Sequence, residues 1–260
     1  MTKPKIGISM LHCLGKPFKE MLKQLAKTQT TYIEIIDDGL HTLNKQRVST
    51  LRSLARSLDL EYSVHAPFAD INIASPSKPI LNTTLRQLKK SIAYAHELNA
   101  YLWIFHPGMK TGISSFYPEK DWHQNLKTVK TLLRTANEYK VKIAIENVPE
   151  PYPFLMKNIH DFEKFYEEIG GDVGLTLDVG HANINKQTDL FLTTFKHQIV
   201  HMHLSDNDGI SDQHLGIGSG TVDWKNLVDH LRKTAYNGTL IIESIEHTEE
   251  SLKKLKQLFA

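Results

Sequence analysis

The chain has 260 residues, 40% of them hydrophobic and 23% charged, with a formal net charge of +2. That length fits one α/β domain, since α/β barrels run to about 250 residues without splitting. No apolar run is long enough to span a membrane, the charge is too mild to imply nucleic acid by itself, and a single cysteine, Cys13, excludes an internal disulfide framework.

The first residues, Met1-Thr-Lys-Pro-Lys5, run straight into an apolar segment and leave no room for a signal peptide. With the lone cysteine this makes the cytoplasm the expected location. Strands are expected near 5–10, 31–37, 61–66, 101–106, 142–147, 173–179, 199–204 and 239–244. They are short and continuous in apolar character, as in a parallel sheet covered on both faces. Between them lie helical stripes: Phe18, Met21, Leu22 and Leu25; Val48, Leu51, Leu54, Ala55 and Leu58; Leu85, Leu88, Ile92 and Ala95; and Trp122, Leu126, Val129, Leu133 and Ala136. A sixth helix around 187–195 carries three weak helix formers, Thr188, Thr193 and Thr194. A basic cluster, Lys253, Lys254 and Lys256, reads as the solvated face of the last helix.

Six apolar runs end in a metal-type ligand. They are Tyr62-Ser-Val-His65, Leu102-Trp-Ile-Phe-His106, Ile143-Ala-Ile-Glu146, Leu175-Thr-Leu-Asp178-Val-Gly-His181, Val200-His-Met-His203 and Leu240-Ile-Ile-Glu243; Asp212 and His214 follow the fifth. Strands at opposite edges of an open sheet cannot bring their ends to one point, whereas a closed ring of eight can. The expectation is therefore a single (β/α)8 TIM barrel over residues 1–260, with a metal site at the carboxyl-terminal face of its strands.

Glu146, Asp178, Glu243 and His203 form a mixed oxygen and nitrogen set suited to zinc, manganese or iron rather than calcium. His65, His106, His181, Asp212 and His214 add five more ligands, with His181 expected in the loop after the sixth strand; nine ligands suffice for two or three ions. His201 shares a strand face with His203 and should lie one layer deeper. The loop Gly216-Ile-Gly218-Ser219-Gly220 reads either as a phosphate-binding turn or as a tight turn into a helix capped by Asp223.

In this order, His65-Ala-Pro-Phe68, Phe105-His-Pro-Gly108, Ile145-Glu-Asn147, Leu177-Asp-Val-Gly-His-Ala182, His201-Met-His-Leu-Ser-Asp206, Asp212-Gln-His-Leu-Gly216 and Glu243 resemble the xylose-isomerase-like TIM barrels. That superfamily includes sugar and sugar-phosphate isomerases and epimerases, and endonuclease IV. The epimerase pattern implies one divalent ion on Glu146, Asp178, His203 and Glu243, with Glu146 and Glu243 as the acid–base pair and His181 on the substrate. The endonuclease IV pattern implies three ions: His65 and His106 with a bridging Glu146; Glu146, Asp178, His203 and Glu243; and His181, Asp212 and His214.

The chain departs from the endonuclease pattern at three places. It has Phe68-Ala-Asp-Ile-Asn-Ile-Ala74 in place of a Tyr-Leu-type DNA wedge and the acidic Asp37-Asp38 in place of an Asn-Pro-Arg-type segment, and Ser219 stands where a glutamate is common. The leading expectation is thus a sugar or sugar-phosphate isomerase or epimerase, with His181, Gly218, Ser219 and Gly220 contacting substrate and one to three zinc or manganese ions per chain. The alternatives are a multi-zinc phosphodiesterase acting on abasic DNA and a non-catalytic, sugar-binding barrel. Barrels of this kind pair through outer helices, but no feature of the sequence marks such a homo-oligomer face.

Overall fold

The computed structural model describes residues 4–259. Met1–Lys3, on which the signal-peptide expectation partly rests, lie outside them. Eight parallel strands close into a barrel in sequence order, β1 (Lys5–Ser9), β2 (Tyr32–Ile36), β3 (Glu61–His65), β4 (Leu102–Phe105), β5 (Ile143–Glu146), β6 (Gly174–Asp178), β7 (Ile199–Leu204) and β8 (Thr239–Ile242). Closure comes from β1 pairing with β8, Lys5 opposite Thr239. The helices between them are α1 (Phe18–Leu25), α2 (Lys45–Leu58), α3 (Lys78–Glu97), α4 (Lys120–Tyr139), α5 (Ile159–Ile169), α6 (Val179–Ile184), α7 (Thr188–Thr194), α8 (Trp224–Lys233) and α9 (Thr248–Leu258). Among the described residues no helix is long and apolar enough to cross a membrane.

The predicted stripes form the inner faces of their helices. Met21 and Leu25, Val48 and Leu51, and Leu88, Ile92 and Ala95 are buried in the main core between helices and barrel, while Leu58, at the end of its stripe, is exposed. The threonine-rich segment does fold, as α7, with Thr193 Oγ1 donating back to the Asp189 carbonyl at 2.7 Å. The unexpected element is α6, which starts directly at the end of β6 and carries His181 in its first turn, where a loop was expected. The Asp178 side chain makes this start possible by accepting from the His181 amide at 2.6 Å.

Alternation along each strand sorts side chains between the helix layer and the barrel interior. The inward parity collects Glu34, Ser63 and His65, Leu102 and Ile104, Ala144 and Glu146, Thr176 and Asp178, His201 and His203, and Thr239. Apolar side chains fill one sector, where Leu102, Ile104 and Ala144 form a cluster separate from the main core. Elsewhere the interior is polar, with Glu34, Ser63, Thr176 and His201 all fully buried. Barrel interiors are usually filled by bulky branched residues, so a polar layer directly beneath the site requires a reason.

The long loop between β7 and α8 is tied to a single carboxylate. Buried Asp206 accepts from the Gly218 amide and the Trp224 indole through Oδ2, both at 2.8 Å, and from the Asn207 and Val222 amides through Oδ1 at 3.0 and 3.1 Å. Asp206→Ala strands four donors, and a loss of about 3–5 kcal/mol in urea unfolding is expected. Asp206→Asn should lose less, since it keeps one acceptor oxygen; an alanine variant within about 1 kcal/mol of wild type would contradict this account.

Candidate metal centre

Six of the nine expected ligands lie at or directly beyond the carboxyl end of a strand on the inward parity, which is why they meet at one point: His65, His106, Glu146, Asp178, His203 and Glu243. Glu146, Asp178, His203 and Glu243 each offer an atom within 4.8 Å of the others, and all four are buried. His203 Nδ1 lies 3.2 Å from Glu146 Oε1 and 3.4 Å from Glu243 Oε2. His65 and His106 form a second group on the other oxygen of Glu146, with both Nε2 atoms 3.3 Å from Oε2. His181, Asp212 and His214 form a third, with the two imidazoles 3.3 Å from different oxygens of Asp212. Glu146 therefore faces two groups at once, one through each oxygen.

Three of the rings are oriented by backbone. The Nδ1 atoms of His65, His181 and His214 lie 2.9, 2.8 and 3.1 Å from the carbonyls of Ala66, Asn147 and Glu243. A carbonyl can only accept, so each Nδ1 carries the proton and each Nε2 turns to the carboxylates, the arrangement of a ligating imidazole.

The electrostatics point the same way. Burial pushes His65, His181 and His214 down, but the facing carboxylates outweigh it. Glu146 lifts His65 to about 9, Asp178 and Asp212 lift His181 to about 10, and Asp212 lifts His214 to about 9. Burial pushes Glu146 up, yet His203 and His106 hold it well below the carboxylate range. Glu243 goes the other way: burial, with Glu34 and Glu146 adding, lifts it to about 7 against the pull of His203. Burial also raises Asp178. The site is thus short of positive charge.

Asp178 Oδ2, Asp212 Oδ1, both ring nitrogens of His203, Glu34 Oε1 and His201 Nδ1 are buried without a hydrogen-bond partner, an arrangement that costs about 1–3 kcal/mol per group unless something satisfies it. A divalent cation would do so for Asp178 Oδ2, His203 Nδ1 and Asp212 Oδ1, and the mixed carboxylate and imidazole donors fit one.

Above the ligands opens a cavity of about 420 Å³, whose polar lining consists of seven of the nine ligands (His65, His106, Glu146, His181, Asp212, His214 and Glu243) and Tyr152. Its remaining walls are apolar, with Leu11, Ile36, Phe68, Met109, Val148 and Phe154 among them. The structure does not bring Gly218, Ser219 and Gly220 into this lining. Their loop is held from beneath by Asp206 and by Lys254, whose ammonium donates to the Ile217 carbonyl at 2.9 Å, and Asp223 caps α8 through the Asn226 amide.

Asp37 and Asp38, the acidic pair at the departure from the endonuclease pattern, do not present exposed charge. Both are buried. Asp37 accepts from the Leu43 amide, and Asp38 accepts from Gly39, Phe68 and Ala69, so these carboxylates brace the loops after β2 and β3.

Sequence reasoning passed over Glu34. It is fully buried on β2, with Oε1 3.1 Å from His203 Nε2, and Oε2 accepting from His201 Nε2 and Ser63 Oγ, each at 3.1 Å. The signal was available as a lone carboxylate inside the apolar run Tyr32-Ile-Glu34-Ile-Ile36, on a strand whose end carries no ligand. His201 lies beneath His203 as expected, reaching it through Glu34.

A family model described as xylose isomerase-like TIM barrel matches residues 22–258. An uncharacterized protein of Methanocaldococcus jannaschii, MJ1614, is 30% identical over 239 residues, 90% of this chain and 91% of that protein. A probable endonuclease 4 of Aquifex aeolicus is 26% identical over 197 residues, 68% of this chain and 67% of that protein. Among solved structures, a D-tagatose 3-epimerase-like protein superposes with a TM-score of 0.92 at 27% identity, covering 98% of this chain and 96% of that one. The barrel and the relatives agree: the chain belongs to the xylose isomerase-like TIM barrel family.

Proposed function

We propose that the protein is a divalent-metal-dependent isomerase or epimerase of an unphosphorylated sugar. One observation carries this reading: Glu146 and Glu243 reach the same nitrogen of His203, at 3.2 and 3.4 Å, on the floor of a small-molecule cavity. The cavity falls within the roughly 300–1,000 Å³ typical of small-molecule sites. Among the described residues no lysine or arginine lines it, so a phosphate group would find no side-chain cation from them there, and a duplex would lack the basic groove that supplies most of its affinity. The likeness to the D-tagatose 3-epimerase-like structure supports the same class.

Glu146, Asp178, His203 and Glu243 would hold the ion. When bound, it supplies Lewis-acid polarisation of a carbonyl and its neighbouring hydroxyl. One of Glu146 and Glu243 removes the proton from the adjacent carbon, and the other returns a proton to the opposite face or to the neighbouring carbon. Phe68 and Phe154 flank His106, with ring centroids 5.8 Å away in each case, and wall the cavity against water. His181 lies on the cavity lining where a substrate hydroxyl would approach.

A multi-metal phosphodiesterase is the second reading, and one observation favours it. The two outer groups, His65 with His106 and His181 with Asp212 and His214, exceed what a single ion uses, and multi-ion sites can clamp both oxygens of a phosphoryl displacement.

In deuterated water, a panel of ketoses should acquire deuterium at the carbon beside the carbonyl. Glu146→Gln and Glu243→Gln should each slow that exchange by about 10²–10⁴-fold. Absence of exchange across the panel overturns the proposal.

Metal analysis of protein purified without chelator separates the two readings. One ion per chain, with exchange abolished by chelation, restored by manganese, cobalt or zinc and largely retained in His106→Ala, is the isomerase result. Two or three zinc ions per chain, with cleavage of abasic DNA that disappears in His106→Ala, transfers the assignment to the phosphodiesterase.

A further inference from the structure

His203 differs from the other imidazoles around the cavity in what orients it. His65, His181 and His214 each place Nδ1 on a backbone carbonyl and turn Nε2 to the carboxylates. His203 is reversed: Nδ1 faces Glu146 and Glu243, while Nε2 lies 3.1 Å from Oε1 of Glu34. The ring has carboxylates on both sides, so a cation held among Glu146, Asp178, His203 and Glu243 would take the Nδ1 lone pair and leave the proton of the neutral ring on Nε2, facing Glu34. Glu34 is held in turn through its other oxygen by Ser63 Oγ and His201 Nε2, each at 3.1 Å, and Glu34, Ser63, His201 and His203 are all fully buried. Glu34 lies beneath the cavity and outside its lining.

We infer that Glu34 is a positioning residue for the metal centre: it fixes His203 as the Nδ1 donor and strengthens that donor, while Ser63 and His201 fix Glu34. A backbone carbonyl orients a ring but carries no charge. A carboxylate orients it and also makes its far nitrogen a better ligand, and such outer partners are typically worth about 10–100-fold in metal affinity. This accounts for the polar layer inside the barrel. The inference rests on reading Glu146, Asp178, His203 and Glu243 as a metal centre and is independent of whether the substrate is a sugar or a phosphodiester.

The test uses zinc-loaded full-length protein labelled with ¹⁵N in histidine. The His203 ring should show a metal-bound Nδ1 and a protonated Nε2, opposite to His65, His181 and His214. Chelator competition should then show Glu34→Gln losing one zinc ion per chain at about 10–100-fold lower chelator concentration than wild type. Ser63→Ala should shift in the same direction by less, and the metal-free thermal midpoint of each variant controls for a purely structural effect.

Unchanged zinc retention in folded Glu34→Gln, or a wild-type spectrum with His203 bound through Nε2, overturns the inference while leaving the metal centre standing. Wild-type protein that takes up no zinc overturns both. If Glu34→Gln does not fold, the wild-type spectrum and Ser63→Ala still decide.

Discussion

Four fully buried carboxylates, Glu34, Glu146, Asp178 and Glu243, stand with the partly buried Asp212 at one end of a closed barrel. Removing a carboxylate from water without compensation is among the most expensive choices a fold can make, and the rest of this end of the molecule is arranged around that cost. Imidazoles from β3, the end of β4, α6, β7 and the loop after β7 face the carboxylates, and several acquire a strong tendency to hold a proton as a result. Even so, buried atoms of Asp178, His203 and Asp212 remain without partners. A protein that needed only to fold could fill this space with branched aliphatic side chains, as it does between strands and helices. The retained charge supports the proposed cation site.

Much of this was legible in the chain because two simple periodicities coincide. Strands announced themselves as short apolar runs, and each run that terminates in His, Asp or Glu does so on the parity that faces inward. Ligand and barrel interior therefore followed from one pattern. What escaped has physical reasons. Glu34 sits in the middle of its run, and a lone carboxylate there gives no sign that its partners come from strands far away in sequence. His181 was read into a loop because a helix starting directly at a strand end depends on the Asp178 side chain serving as its cap, a contact that no propensity reports. The pair Asp37-Asp38 looked like a charged rim because sequence shows charge and not the amides that surround it. The glycine loop divided between two readings for the same reason: its organising carboxylate, Asp206, lies ten residues or more upstream of the glycines it holds.

Structure and site are therefore not separable at Asp178. Its Oδ1 caps α6 and sets the position of His181, while its Oδ2 is the unpartnered atom aimed at the other ligands. One side chain couples the four-ligand group to the His181 group. Asn147 reinforces the coupling, since its side chain both donates to the Asp178 carbonyl and accepts from the Asp178 amide, and its own carbonyl orients the His181 ring.

The same geometry answers the main objection to a sugar isomerase, that a glutamate shared between ligand groups has little basicity left. Glu146 is faced on Oε2 by His65 and His106 and on Oε1 by His203, whereas Glu243 meets only His203 and opens onto the cavity. Proton removal need not be divided evenly between the two. In the proposed isomerase Glu146, the better anchored of the two, would hold the ion and return a proton relayed to it. Glu243 follows the last residue of β8, has fewer partners, and would be the base under that proposal. The asymmetry of the pair, rather than its mere presence, makes carbon acid chemistry compatible with so crowded a set of ligands.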